Sequence, residues 1–281
     1  MTTKKIILLT CLMLGWLLPA EAQWAREYTE DRPLVIVSDW EFPPYEFRND
    51  NGEADGYNVE VLDLILDNLK VPHKYLMQEW FQCTRTFESH EADLIHALTI
   101  NYKKHPYVMT QNMITYYPVK MVRRKSQKAF HRISQLTPRD TLMVKNNDYV
   151  ALRVQAIQDK PFHMEYHSPK EALTAIRNGH RAYYIWGETP LKMKIKEYGL
   201  DSLLLDDVDI PAGELRIIGY DKELIDAIDD AYARLEQSGE LQPIYDKWFN
   251  PERVHNDSSP IALFALIGSV IAIIIAFLLS R

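Results

Sequence analysis

Cysteine, metal-ligand clusters and excess positive charge are all scarce in this sequence. It contains two cysteines, Cys11 and Cys83, and we expect the segment around Cys11 to be removed. The remaining Cys83 then has no partner for an intrachain disulfide and is expected to be a small buried hydrophobic residue. The histidines show no metal-ligand spacing, and a net charge of −7 argues against nucleic-acid binding. The sequence therefore predicts no cofactor, no metal and no nucleic-acid partner.

Low-complexity blocks and short repeats are also absent, and long apolar runs occur only near the two ends. At the N-terminus, Lys4 and Lys5 precede an apolar stretch over residues 6–18, and Ala20-Glu21-Ala22 forms a small-x-small cleavage site. These three parts predict a signal peptide over residues 1–22 rather than a buried helix. A lipoprotein site at Cys11 agrees less well with these residues than a cleaved signal peptide does, since the apolar run continues past Cys11.

The second apolar run, residues 261–279, contains no charged residue. About 20 apolar residues cross the hydrocarbon core as a helix, and a segment that is apolar on every face is unlike a core helix. The run therefore predicts a transmembrane helix, with residues 251–260 as a linker. Arg281 on the cytoplasmic side agrees with the orientation rule. We expect single-pass anchoring in the inner membrane, with the folded part in the periplasm. Because almost nothing would then lie on the cytoplasmic side, we expect any signal to pass through a partner protein.

Between these runs the chain alternates short strands with amphipathic helices. One series of strand, loop, helix, strand, helix and strand covers residues 33–100, and a second covers residues 141–187 before a helical C-terminal part. The first strand is predicted over residues 33–39. A well-marked helix is predicted over residues 168–180, with Ser168 as its cap and Pro169 at its first position. This alternation is typical of parallel α/β units. We therefore predict two lobes, with a ligand in the crevice beyond the carboxyl ends of the strands.

Five segments in this order resemble the type II periplasmic solute-binding proteins: VIVSDWEFPPYEF, NGEADGYNVEVLDLI, EADLIHALTINYKKHPYV, RNGHRAYYIWGE and SGELQPIYDKWF. Within this family, the sequence most resembles the subfamily that binds polar amino acids and serves as Venus-flytrap sensor domains. It implies an α/β fold of two lobes joined by two crossing strands. Lobe 1 would comprise residues 23–120 and 208–250, and lobe 2 residues 121–207. The lobes would close on a ligand by a hinge motion.

The same resemblance implies two aromatic walls for the ligand. Phe42 matches the stacking aromatic, in a loop that Pro43 and Pro44 stiffen, and Trp80 and Phe81 match the opposite wall. The neighbouring candidates for ligand contact are Trp40 and Glu41. The alternative for all of these residues is ordinary core packing, which we prefer for the nearby Tyr45 and Phe47.

Polar candidates follow from matching positions near other strand ends. Thr99 matches a hydroxyl position, and Lys104 stands where the family has an arginine that grips a carboxylate. Lysine offers a point charge rather than a bidentate fork, so a solvated surface role for Lys104 stays open. In lobe 2, Asn146, Asn147 and Asp148 match a carboxylate-binding loop, with helix capping as the alternative.

The last two candidates flank a position that departs from the family pattern. The acid that holds a ligand ammonium matches Gly187 here, with Trp186 before it and Glu188 after it. Glu188 could replace that acid by a shift of one residue. A site that binds a ligand amine should have an acid or an aromatic face near it. Because the usual acid position is a glycine here, the ligand identity stays open.

Two classes of function fit these observations. The first is a membrane-tethered solute-binding protein that captures a small polar ligand, amino-acid-like or another small anion. It would serve a transporter permease, or sensing through a partner such as a sensor kinase. The second is an enzyme on the same fold, for example a dehydratase, for which Glu41, Glu188 and His96 are possible acids or bases. No pair among them has a recognised catalytic spacing. Some lytic transglycosylases carry this pair of lobes, but they need an additional catalytic domain, and none fits in this sequence. The prediction is therefore a binding protein.

Overall fold

The computed structural model describes residues 28–98, 106–157 and 161–250. The predicted signal peptide, the linker and the predicted transmembrane helix over residues 261–279 lie outside the described residues. Among the residues that are described, no helix is long and apolar enough to cross a membrane.

The described residues form strands and helices in alternation. The strands are β1 (Leu34–Asp39), β2 (Glu41–Phe42), β3 (Glu46–Arg48), β4 (Ala54–Asp55), β5 (His73–Gln78), β6 (Leu94–Leu98), β7 (Val108–Met109), β8 (Thr115–Tyr117), β9 (Val119–Arg124), β10 (Thr141–Val144), β11 (His163–Tyr166), β12 (Ala182–Gly187), β13 (Leu203–Asp207) and β14 (Gly213–Gly219). The helices are α1 (Tyr57–Asn68), α2 (Trp80–Glu88), α3 (Tyr149–Ile157), α4 (Pro169–Arg177), α5 (Glu188–Glu197), α6 (Lys222–Ser238) and α7 (Gln242–Phe249).

The first lobe is built on a sheet in the order β5-β1-β6-β14-β7, with β8 also paired to β14. Strand β1 pairs parallel with β5 and β6, as the alternating pattern predicts, while β14 is antiparallel to β6. Helix α1 packs on this sheet through Val61, Leu62, Ile65 and Leu66, which recur on one helical face and are fully buried. Apolar side chains of α6 complete this core.

The second lobe is built on a sheet in the order β11-β10-β12-β9-β13. Strand β10 lies parallel to β11 and β12, and β9 is antiparallel to β12 and β13. Helix α4 begins where the sequence predicts, because Ser168 and Glu171 form a reciprocal capping box and Pro169 occupies the first helical position. Its apolar face, Ala172, Leu173 and Ile176, is fully buried.

Two neighbouring connections join the lobes. One runs through Pro118, between β8 in the first sheet and β9 in the second. The other is the segment 208–212, between β13 and β14. Because β8 and β14 pair antiparallel, with Tyr117 opposite Gly213, the two connections lie side by side. Such paired crossings form a hinge. The predicted limits of the lobes, at residues 120/121 and 207/208, stay predictions.

The aromatic-proline loop folds into a small sheet that the sequence did not reveal. Strands β2, β3 and β4 pair antiparallel there, and the Pro43–Pro44 peptide bond is cis. Helix α1 follows directly after Gly56, whose φ of 124° suits glycine. A Cβ at Gly56 would lie 2.6 Å from the Tyr45 carbonyl oxygen. The close approach of Gly56 to Tyr45 therefore holds the loop against the start of α1.

Candidate functional site

A small cavity of about 30 Å³ lies between the lobes, with room for very few water molecules. The carboxyl ends of β1 and β6 face it from the first lobe, and those of β10 and β12 face it from the second. Its walls combine aromatic rings with buried ionisable groups. The lining residues are Asp39, Phe42, Glu46, Trp80, His96, Tyr117, Lys145, Asp148, Tyr149, Trp186 and Leu215.

Aromatic rings pack around Phe42 at the hinge side of the cavity. The Phe42 ring centroid lies 4.8 Å from that of Tyr45, 5.3 Å from that of Tyr117 and 6.0 Å from that of Trp186. Trp186 comes from β12, in which every residue is buried, so first-lobe and second-lobe aromatics meet here. Rings at these separations attract one another beyond their buried area, and they give a ligand an apolar wall.

One ion pair crosses the cavity from lobe to lobe. Asp39 ends β1, Lys145 follows β10, and the Lys145 Nζ lies 2.5 Å from the Asp39 Oδ2. Both side chains are almost fully buried. Burial lowers the pKa of the Lys145 ammonium, but Asp39 and nearby carboxylates raise it by more, so its pKa lies above the usual value. Lys145 is therefore a permanent cation at the centre of the cleft.

Glu46 ties the aromatic-proline loop to the end of β1. Its Oε1 accepts the Asp39 backbone N–H at 3.0 Å, and its Oε2 accepts the Ser38 hydroxyl at 3.2 Å. The Nδ1 of His96, in β6, lies 3.1 Å from the same Oε2 without hydrogen-bond geometry. The Nε2 of His96 is buried and has no partner among the described residues. A buried nitrogen of this kind requires a partner, so His96 offers the cavity a polar contact.

Asp148 is the most strongly perturbed acid in the cavity wall. Its carboxylate accepts the Ala151 N–H at 2.8 Å and so caps α3. Burial raises the pKa of Asp148 to about 7, although that N–H and the Lys145 ammonium both act to lower it. Near neutral pH, Asp148 therefore exists in both forms and can donate as well as accept a hydrogen bond.

Hydrogen bonds also join the lobes at the mouth of the cleft. The Trp80 Nε1–H donates to the Asn147 carbonyl at 2.8 Å, and the Asn147 amide donates to the Thr84 hydroxyl at 3.1 Å. Asn147 has a positive φ of 54°, a conformation that asparagine tolerates better than most residues. A weaker charge contact of 4.0 Å joins Lys194 of α5 to Glu41.

The structure brings some of the predicted site residues together. Phe42, Trp80 and Trp186 line the cavity. Glu41 and Asn146 line a second pocket, which also includes Lys145. Burial raises the pKa of Glu41, while Lys194 acts to lower it. Asn147 reaches Trp80 and Thr84 rather than the cavity.

Other predicted residues lie away from the cavity or outside the described residues. Trp40 is 42% exposed and stacks under the Arg48 guanidinium at 5.1 Å. Phe81 is 37% exposed, with the Arg85 guanidinium 5.9 Å from its ring. Thr99 and Lys104 lie outside the described residues, so their placement stays a prediction.

Glu188 does not face the cavity either. Its carboxylate contacts Lys192 at 2.6 Å and Lys120 at 3.8 Å. The neighbouring Gly187 packs against Tyr117, whose hydroxyl accepts the Gly187 N–H at 2.7 Å. A Cβ at Gly187 would lie only 2.0 Å from the Tyr117 ring. Tyr117 thus occupies the space that a side chain at position 187 would need.

Sequence reasoning missed most of the charged centre of the cleft. Asp39, Glu46 and Lys145 were not candidates, and His96 was considered only as a possible catalyst. Asp148 was a candidate, and the structure places it both in the cavity wall and at the cap of α3. One signal was available for two of them, since Asp39 ends a strand and Lys145 follows one, and parallel strands present their carboxyl ends at the same edge. Their pairing depends on how the two lobes face each other, which no local pattern encodes.

Two α/β lobes, a double crossing and a polar-aromatic cavity between them define an interlobe binding protein. The chain belongs to the bacterial extracellular solute-binding proteins, family 3, whose model matches residues 34–251. This membership confirms the predicted resemblance. A relative named arginine-binding periplasmic protein, from Mannheimia haemolytica, is 24% identical over 259 residues, or 87% of this chain and 98% of that protein.

Solved structures show the same fold. A histidine kinase sensor domain with similarity to periplasmic binding proteins has a TM-score of 0.69 at 21% identity, over 80% of this chain and 97% of that one. The substrate-binding protein of an uptake transporter from Streptococcus pneumoniae, with bound histidine, has a TM-score of 0.69 at 17% identity, over 81% and 96%.

Proposed function

We propose that this chain is a membrane-anchored extracytoplasmic solute-binding protein that captures a small polar solute between its lobes. The observation that carries the proposal is the cavity at the lobe interface, where the aromatic walls of Phe42, Trp80 and Trp186 surround buried polar groups. Apolar walls with a few placed polar groups are typical of small-molecule sites. The family supports a binding role rather than catalysis.

The polar groups of the cavity favour an amino-acid-like solute or another small polar anion. Lys145 and the protonated form of Asp148 can donate hydrogen bonds, and so can the Nε2 of His96 in one of its tautomers. The ligands named for similar proteins, arginine and histidine, belong to this chemical class. The glycine at position 187 and the lysine at position 104 separate this site from the pattern of amino-acid binders, so the solute is not assigned to arginine or histidine.

The role after capture is either delivery to a permease or sensing through a partner membrane protein. The relatives include a sensor domain and a transporter component, which supports both. The predicted signal peptide and the predicted helix over residues 261–279 support a domain in the periplasm that is held at the inner membrane.

A thermal-shift screen of the full chain in detergent tests the proposal. The additives are amino acids, short peptides, polyamines and organic acids. A solute that binds only the folded chain raises Tm in proportion to the logarithm of its concentration. We expect one chemically related group of solutes to raise Tm and to be recovered unchanged. Conversion of the solute would instead support the dehydratase alternative, and no shift with any class would contradict solute capture.

A further inference from the structure

The cavity contains more acid groups than its one lysine can balance. Asp39, Glu46 and Asp148 line the cavity, and all three are buried. Among the described residues that line it, Lys145 is the only lysine, and there is no arginine. Each carboxylate comes from a different part of the chain, the first two from one lobe and Asp148 from the other. When the lobes meet, these acids are withdrawn from water together, which is unfavourable unless a cation accompanies them.

Lys145 provides that cation from the opposite side of the cleft. Its ammonium contacts the Oδ2 of Asp39 at 2.5 Å and lies 5.9 Å from the ring centroid of Trp186. The Oδ1 of Asp39 accepts the Glu41 N–H at 3.0 Å. An acidic group and an aromatic face are the two features that typically hold an ammonium ion. Here both features hold a side chain of the protein itself.

We propose that Lys145 acts as a tethered cation, which occupies an ammonium site formed by Asp39 and Trp186 and allows the lobes to close. An uncompensated buried carboxylate is far more destabilising than a neutral pair in the same place. Closure therefore depends on an ammonium at Asp39, and the chain supplies it without help from the solute.

This arrangement also makes Lys145 a specificity residue, a conclusion that rests on the proposed solute-binding function. With Lys145 in place, Asp39 is not available to a cationic group of the solute. Solutes that present a neutral or anionic group to this end of the cavity keep the Lys145 contact. A solute with a second ammonium or guanidinium would have to displace Lys145 first.

Chemical rescue of a truncated variant tests the tethered cation directly. Lys145→Ala removes three methylene groups and the ammonium, which together correspond to the n-propylammonium ion. In the full chain without solute, we expect Lys145→Ala to lower Tm by about 10 °C, the size expected for one broken buried ion pair. Millimolar n-propylammonium should then restore most of this loss. The same ion should leave the wild-type Tm unchanged, because Lys145 already fills the site.

Matched controls separate charge from volume and from general salt effects. Lys192→Ala removes an exposed lysine whose ion pair, within the described part of the chain, is with Glu188, and n-propylammonium should not change the Tm of this variant. Propan-1-ol has a similar shape without charge and should not rescue Lys145→Ala. If Lys145→Ala does not fold, Lys145→Met retains most of the volume without the charge. It should be destabilised, and Asp39→Asn in the same chain should recover stability.

Three results would overturn the proposal. The first is a Lys145→Ala variant as stable as Lys192→Ala. The second is a destabilised Lys145→Ala variant whose Tm n-propylammonium does not restore. The third is rescue that propan-1-ol reproduces or that persists when Asp39 is also replaced by Asn. These outcomes are independent of the solute screen, since no solute is present. If a solute raises the wild-type Tm but n-propylammonium does not rescue Lys145→Ala, the tethered cation is rejected and the binding function is not.

Discussion

At the level of single residues, exposure separates the aromatics that the sequence could not distinguish. Phe42 and Phe81 both follow strands and both matched a ligand wall, yet Phe42 is 9% exposed and Phe81 is 37% exposed. The family resemblance predicts that an aromatic wall exists at these strand ends. Which ring turns inward depends on the packing of Tyr117 and Trp186 from distant parts of the chain.

Replacing Phe42 by alanine tests the aromatic wall. Phe42→Ala should remove most of the solute-induced rise in Tm and also lower stability by roughly 3–5 kcal/mol, the range for large-to-small changes in packed sites. Phe81→Ala is the matched control and should keep the solute response. The measurement is Tm of each variant with and without the solute found by screening. An unchanged response in Phe42→Ala would argue against this cavity as the binding site.

A pH profile tests the environment of Asp148. The pKa of this acid rises from 3.8 to about 7 in the folded chain. The folded state therefore binds the proton more tightly than the unfolded state, and the associated stability is complete below the unfolded pKa and is lost as pH rises through the folded pKa. Wild-type Tm should fall between about pH 4 and pH 7, and Asp148→Asn should fall less.

Asparagine is the appropriate replacement because it keeps a side-chain oxygen for the cap of α3. A residual slope is expected in the variant. The hydrogen bond to Asp63 raises the pKa of His73, and a raised histidine pKa also removes stability as pH increases. Identical slopes in wild type and Asp148→Asn would show that Asp148 titrates as an ordinary exposed acid.

At the level of elements, the longer strands and the helices could be predicted and the two-residue strands could not. Strand β1 occupies Leu34–Asp39 where the sequence predicts residues 33–39, and α4 has its predicted cap. Strands β2, β4 and β7 have two residues each. Two residues are too few to show the alternation of apolar and polar residues that identifies a strand. These strands form by pairing with a neighbouring strand.

The end of β12 illustrates such a tertiary constraint, since Gly187 lies directly against Tyr117. Gly187→Ala should cost about 1–3 kcal/mol of unfolding free energy through overpacking, measured by urea denaturation. The same change in a Tyr117→Ala background should cost much less, because the clashing ring is absent. Additive costs would mean that the two residues do not compete for this space.

At the level of the whole molecule, the relation between the lobes could be predicted only through the family resemblance. Alternation of strands and helices predicts two α/β units with a crevice beyond their strand ends, but not how the two lobes face each other across it. The cross-lobe contacts, such as Trp80 to Asn147 and Asp39 to Lys145, join residues far apart in sequence. The limits of the lobes and the membrane anchor stay predictions.

Deleting residues 261–281 tests the anchor. The variant should be released as a folded soluble protein whose Tm and solute response match those of the full chain, because the described cores lie within residues 28–250. The measurement is the distribution between membrane and soluble fractions after export. A variant that stays in the membrane fraction would contradict the predicted span.

A crystal structure of the protein with its screened solute tests solute capture between the lobes most directly. We expect the solute in the cavity between β1 and β10, against the rings of Phe42 and Trp80, with Lys145 still in contact with Asp39. A solute bound elsewhere, with this cavity closed and unchanged, would contradict capture between the lobes.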